Sequence, residues 1–170
     1  MTKITFVNGT TPAINDTNLN QMQTNIENAI EQTKIKYIIV TQSSKQNLSS
    51  STQISLNVVY KNIGNKFSLS NNAVVVGTNV ARVRISGAIF VEAPQGTGYV
   101  WGQIRKNDIN ISTAITPYNN GGGFLSSVIP PIIEEVSQGD VIKLIGDSTV
   151  QGNTRNGVAN TWLLVEALEY

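Results

Sequence analysis

Glu134 and Glu135 are the only adjacent carboxylates in the chain, and a carboxylate pair is what acid–base chemistry or a shared divalent cation would need. They sit in a stretch that reads as a β-strand, where successive side chains point to opposite faces. The pair therefore reads as solvated edge charge. Asp108, Asp140 and Asp147 fall in turn-like sequence, and hard oxygens in loops are what calcium binds. They lack any Asp-x-Asp-x-Asp spacing, so no metal site is assigned. The chain has no cysteine and no histidine. That removes the thiolate nucleophile, the thiolate zinc site, the disulfide framework and the imidazole base together. No catalytic residue and no cofactor is predicted, and the chain is expected not to be an enzyme.

Two glycine-rich stretches could let a ligand approach the backbone closely. "QGTGYVWG" (95–102) is followed by neither Lys-Ser/Thr nor a helix, so it reads as a hairpin loop. Gly121-Gly122-Gly123 reads as a loop before a strand beginning at Phe124. Polar loops offer a different chemistry. Tyr118, Asn119 and Asn120, with Asn153, Arg155 and Asn156, supply amides and a guanidinium for sugar hydroxyls and a ring for stacking. Binding residues tend to sit on loops carried by a rigid scaffold. Ordinary solvated loops have the same composition, so a glycan partner is an expectation to be tested.

The elements that must position these residues follow from composition and pattern. Of 170 residues, 40% are apolar and 14% charged, the latter well below the roughly 25% of soluble domains. One core with an appendage is expected. A net charge of +1, with no clustered Lys/Arg stripe, offers no broad attraction to nucleic acid or anionic lipid. No apolar run approaches the roughly 18 residues of a membrane span, so no membrane insertion is expected. The N-terminal "MTKITFVNGTTPAIND" has no apolar signal-peptide region.

"TNLNQMQTNIENAI" (17–30) reads as one helix, capped by Asn15, Asp16 or Thr17. Leu19, Met22, Ile26 and Ala29 alternate spacings of three and four, which makes an a/d seam of two heptads. Asn25 and Gln32 flank it on one side, Gln23 and Ile30 on the other. The same spacing arises when a helix lies on its own domain. The narrow stripe and the amide-rich remainder favour the seam, because a helix of weak propensity is marginal alone.

After about Ile35 the period changes to two. Ile54, Leu56, Val58 and Tyr60 alternate, then Phe67 and Leu69, then Val83, Ile85, Ile89 and Val91. Turns are predicted at Lys106-Asn107-Asp108 and at Ser137 to Asp140. Pro130-Pro131 marks an edge or a crossing. Trp162, Leu164 and Ala167 alternate in the last segment. The count is about eight to ten short strands with no second helix, which argues for a mainly β fold, an antiparallel sandwich or jelly roll. The change of period divides the chain into residues 1–34 and 35–170.

The ordered set "VARVRISGAIFV", "YVWGQIRKN", "GGGFLSSVIPPIIEEVSQGDVIKLIG" and "TWLLVEAL" resembles the trimeric jelly roll of complement globular heads and tumour-necrosis-factor-like proteins. The complement branch's Gly-Tyr-Phe cluster is replaced by "GAIFVEA", as in a distant member. Separately, "NGTTPAINDTNLNQMQTNIENAI" resembles a leader in tail-fibre, baseplate and other appendage proteins of phages of Gram-positive bacteria. Together the resemblances imply a homotrimeric virion protein, assembled in the host cytoplasm. Residues 1–34 would be its attachment segment and helical neck, binding other virion proteins, and residues 35–170 a jelly-roll head, serving as a receptor-binding fibre tip or as a non-adhesive structural part. In such heads one apolar, aromatic sheet face packs about the three-fold axis. Tyr99, Trp101, Phe124, Trp162 and Leu164 are the residues expected there, with monomer core as the plainer alternative for each.

Overall fold

The computed structural model describes residues 16–48, 51–119, 123–149, 151–157 and 159–169. The chain divides into two compact units, Met1–Lys34 and Ile35–Tyr170. In the first, α1 runs Asp16–Thr33. Residues four apart bond along the helix, Gln21 Nε2 donating to Asn25 Oδ1 at 3.1 Å and Gln23 Nε2 to Glu27 Oε1 at 2.9 Å. At the far end Thr33 Oγ1 donates to the Ile30 carbonyl at 2.7 Å. The apolar stripe is not covered: Leu19, Met22, Ile26 and Ile30 are 50, 49, 57 and 53% exposed.

The second unit contains twelve strands among the described residues: β1 Lys36–Thr41, β2 Thr52–Gln53, β3 Val58–Ile63, β4 Phe67–Ser70, β5 Ala73–Val76, β6 Arg82–Gln95, β7 Thr97–Lys106, β8 Ile109–Asn119, β9 Phe124–Glu135, β10 Val141–Ser148, β11 Gln151–Thr154 and β12 Trp162–Glu169. All pairings are antiparallel, in two sheets. The first sheet contains β3, β1, β12, β6, β9 and β11. In it β9 lines one side of β6, and β12 and then β11 share the other. The second sheet has the order β4-β5-β10-β7-β8, with β2 against β10.

Alternation sends one set of side chains from each sheet into a shared core. Ile38, Val40, Val83, Ile85, Ile89, Val91, Leu163, Val165 and Ile129 come from the first sheet. They meet Val74, Val100, Ile104, Ile142 and Leu144 of the second, and all are 0% exposed. The sheets approach closely where there is no side chain. A Cβ on Gly146 would lie 2.9 Å from Ile54 Cδ1 and 3.0 Å from Ile89 Cδ1.

Both predicted turns are present. Asn107 and Asp108 have φ of 49° and 69°, the signature of a two-residue type I′ hairpin between β7 and β8. Asp140 closes the Ser137–Asp140 turn by accepting from the Ser137 N–H at 3.0 Å. Pro130-Pro131 lies within β9, which among the described residues pairs only with β6. The register skips both prolines, so β9 bulges there and no ladder donor is lost.

Three expectations are corrected. The alternating run from Ile54 to Tyr60 is not one strand. Ile54 and Leu56 are fully buried between β2 and β3, whereas Val58 and Tyr60 belong to the edge strand β3 and are 37 and 59% exposed. In β12 Trp162, Leu164 and Ala167 do not share one face: Ala167 joins Leu163 and Val165 in the inward set, and Trp162 and Leu164 face outward. Asp147 lies within β10, not in a turn.

Candidate functional site

The outer face of the first sheet is greasy across its width. Ile39 on β1 lies opposite Leu164 on β12. One row further, Trp162 lies opposite Ala88 on β6, which in turn faces Val128 on β9. Val128 and Ile133 are 57 and 58% exposed. An ion pair crosses this face, where Arg84 Nε donates to Glu166 Oε2 at 2.9 Å between directly opposed positions on β6 and β12. Alternation explains why such residues are outside: a strand with apolar residues in both registers must present one set to something other than its own core.

Of the five residues expected on a head interface, Trp162, Leu164 and Phe124 share this face. Tyr99 and Trp101 do not. They project from the outer face of the opposite sheet, because Val100, Gly102 and Ile104 on β7 are the inward set. There Tyr99 and Trp101 pack edge-on at 6.2 Å, beside Ile115 on β8. Within one chain the five therefore divide between the outer faces of the two sheets.

The polar residues expected to meet sugars gather at one end of the sandwich, opposite the end where β1 begins. β8 finishes there at Asn119, and β11 and the segment after it carry Asn153, Arg155 and Asn156. Tyr118 must be withdrawn. It lies on β8 and not in a loop, and its ring is 7% exposed within the core, so it has no face to offer a ligand. Asn120 lies outside the described residues. Asn156 Nδ2 is engaged with the Ser43 carbonyl at 3.0 Å, while Asn119 and Asn153 are exposed.

The aromatic partner at this end comes from elsewhere. Phe90 on β6 and Phe124 on β9 pack with centroids 5.3 Å apart, and the Arg155 guanidinium lies 5.0 Å from the Phe124 centroid and 6.0 Å from that of Phe90. The Arg155 N–H donates to the Phe90 carbonyl at 2.7 Å, which fixes the residue beside the rings. Sequence reading missed this because Phe90, Phe124 and Arg155 are far apart in the chain. Only the outward parity shared by Phe90 and Phe124 could have signalled it.

Asp108, Glu134 and Asp140 make structural contacts. Lys143 Nζ donates to Asp108 at 2.7 Å, and Glu134 pairs with Lys106, whose Nζ also donates to the Glu135 carbonyl at 2.8 Å. Burial alone would raise the Asp140 carboxyl. Hydrogen bonds from the Ser137 N–H and the Asn107 amide, with the charge of Lys106, instead hold it below its ordinary value. Among the described residues, no three His, Cys, Asp or Glu side chains gather as a metal site would require.

Solved structures share this architecture. Murine APRIL at pH 5.0 superposes with a TM-score of 0.62 at 11% identity, covering 79% of this chain and 100% of that one. Eiger TNF from S. frugiperda gives 0.62 at 9% identity, over 79% and 92%. The globular domain of zebrafish complement 1qA protein gives 0.57 at 9% identity, over 79% and 98%. No family model matches the chain, and a comparison with curated protein sequences finds no match. The head therefore has the jelly-roll fold of TNF-like and complement 1q-type domains, with one short helix before it.

Proposed function

We propose that this chain is a homotrimeric structural protein of a phage virion, a fibre or appendage whose head attaches the particle to the bacterial surface. The observation that carries the reading is the uncovered stripe of α1. A helix of amide-rich sequence holding Leu19, Met22 and Ile26 half in water gains stability by packing against copies of itself. Leu19, Met22, Ile26 and Ala29 form that neck seam. The outer face of Ile39, Leu164, Trp162 and Val128 supports a second contact between copies, at the head. The number three comes from the resemblance to trimeric heads, and the virion setting from the resemblance of the N-terminal leader, which would bind other virion proteins. Three identical heads would bind a repetitive surface by avidity, each site being weak alone. Nothing in the reading requires catalysis.

A second reading is favoured by the far-end loops. With Tyr118 buried and Asn156 engaged, fewer residues remain to hold a sugar, which supports a non-adhesive head fibre, capsid decoration or baseplate connector. Light scattering on the full chain tests the assembly: a mass three times the 18.4 kDa chain is expected, and a single-chain mass refutes it. Binding of labelled protein to a panel of Gram-positive cells then separates attachment from architecture.

A further inference from the structure

We propose that Arg155, held against Phe90 and Phe124, is a receptor for an oxyanion carried on a surface polymer. The inference rests on the attachment reading and names its ligand class: a polyhydroxylated chain bearing phosphodiester or carboxylate groups, not a neutral sugar.

The guanidinium is placed before any ligand arrives. Thr154, immediately before it, is fully buried, and its N–H donates to the Gln46 carbonyl at 2.7 Å. The backbone of Arg155 is tied to Phe90, and its side chain rests on two aromatic faces. Stacking of this kind orients the planar fork and reduces the rotamer freedom lost when it binds. Yet among the described residues no oxygen accepts from the side-chain N–H groups of Arg155. The nearest acid by register is Glu92, opposite both Phe124 and Asn153, and its carboxylate is taken by Lys45. What remains is a cation with unused parallel donors, the geometry that fits carboxylate or phosphate. Phe124, 59% exposed, adds an apolar surface for the C–H groups of a polyol or sugar, and exposed Asn153 adds an amide. With a net charge of only +1 on the chain, attraction to such a polymer would come from this local placement and not from a general basic field.

The test uses the full chain and three immobilised probes: poly(glycerol phosphate), polygalacturonate and neutral dextran. Binding to one or both anionic polymers is expected, weakening as salt rises, with none to dextran; the preferred anionic probe identifies the source of the oxyanion. Arg155→Gln should weaken binding at least about tenfold, the scale of a lost charge-assisted hydrogen bond. Arg155→Lys, which keeps the charge without the fork, should fall between. Phe124→Leu should weaken binding while leaving the fold intact by circular dichroism. Lys66→Gln, a surface cation elsewhere, is the control. Equal binding by Arg155→Gln and wild type overturns the proposal, as does equal binding to dextran. If cells are bound but no anionic polymer is, the inference fails and the attachment reading stands. If the polymers are bound but no cell is, the site stands and the attachment reading fails.

Discussion

Replacing Leu19 and Ile26 together by Asn would remove two layers of the proposed seam, both within the first unit. These side chains are 50 and 57% exposed in the single chain. Fully burying such a residue is worth about 1.5–3 kcal/mol, so covering the exposed half contributes about 1 kcal/mol each. Over two layers in three copies the loss is about 6 kcal/mol per neck, or about four powers of ten in the association constant. Leaving amides in the seam adds a desolvation cost. Freed of partners, an 18-residue helix with this many Asn and Gln should melt. Far-UV circular dichroism at 222 nm over a dilution series reads the helix. The near-UV signal of Trp101 and Trp162, both in the head, reads the β sandwich. Loss of helical signal with an unchanged head transition is expected. Helical signal that survives dilution, or a head transition that collapses in parallel, would refute the seam.

Leu164→Asp places a charge on the outer face of the first sheet, so it should reduce the light-scattering mass while costing the folded chain under about 1 kcal/mol, as for a surface change. Gly146→Ala would force a methyl to within 2.9 Å of Ile54 and 3.1 Å of Leu48, and urea denaturation should show a loss of about 1–3 kcal/mol. The depressed Asp140 carboxyl stabilises the fold above its unfolded value near 3.8, and that contribution is lost as pH falls through the lower folded value. Asp140→Asn should therefore show a shallower fall of thermal midpoint below about pH 4 than wild type.

How far the sequence reaches can be seen strand by strand. Val83, Ile85, Ile89 and Val91 alternate and are all fully buried, because a long central strand keeps its parity from end to end. The same rule failed at Val58 and Tyr60. There the chain leaves one sheet and joins the edge of the other, and the inward direction is lost with the change of partner. It failed again in β12, where both parities are apolar and nothing local says that Ala167 faces the core while Trp162 and Leu164 face outward. Tyr118 looked like a loop residue because polar neighbours surround it, but β8 extends through it and turns its ring inward.

By itself the sequence determined the helix, the change to a two-residue period, the turns at Asn107-Asp108 and Ser137–Asp140, and the absence of Cys and His chemistry. These depend on neighbours within a few residues, where spacing and turn conformation act directly. Tertiary structure decided which apolar parity is core and which is outer surface, that Tyr99 and Trp101 lie on a different sheet from Trp162 and Leu164, and that Phe90, Phe124 and Arg155 meet. Those outcomes depend on which strands become neighbours across the sandwich, and contacts between residues distant in the chain leave no periodic trace in it.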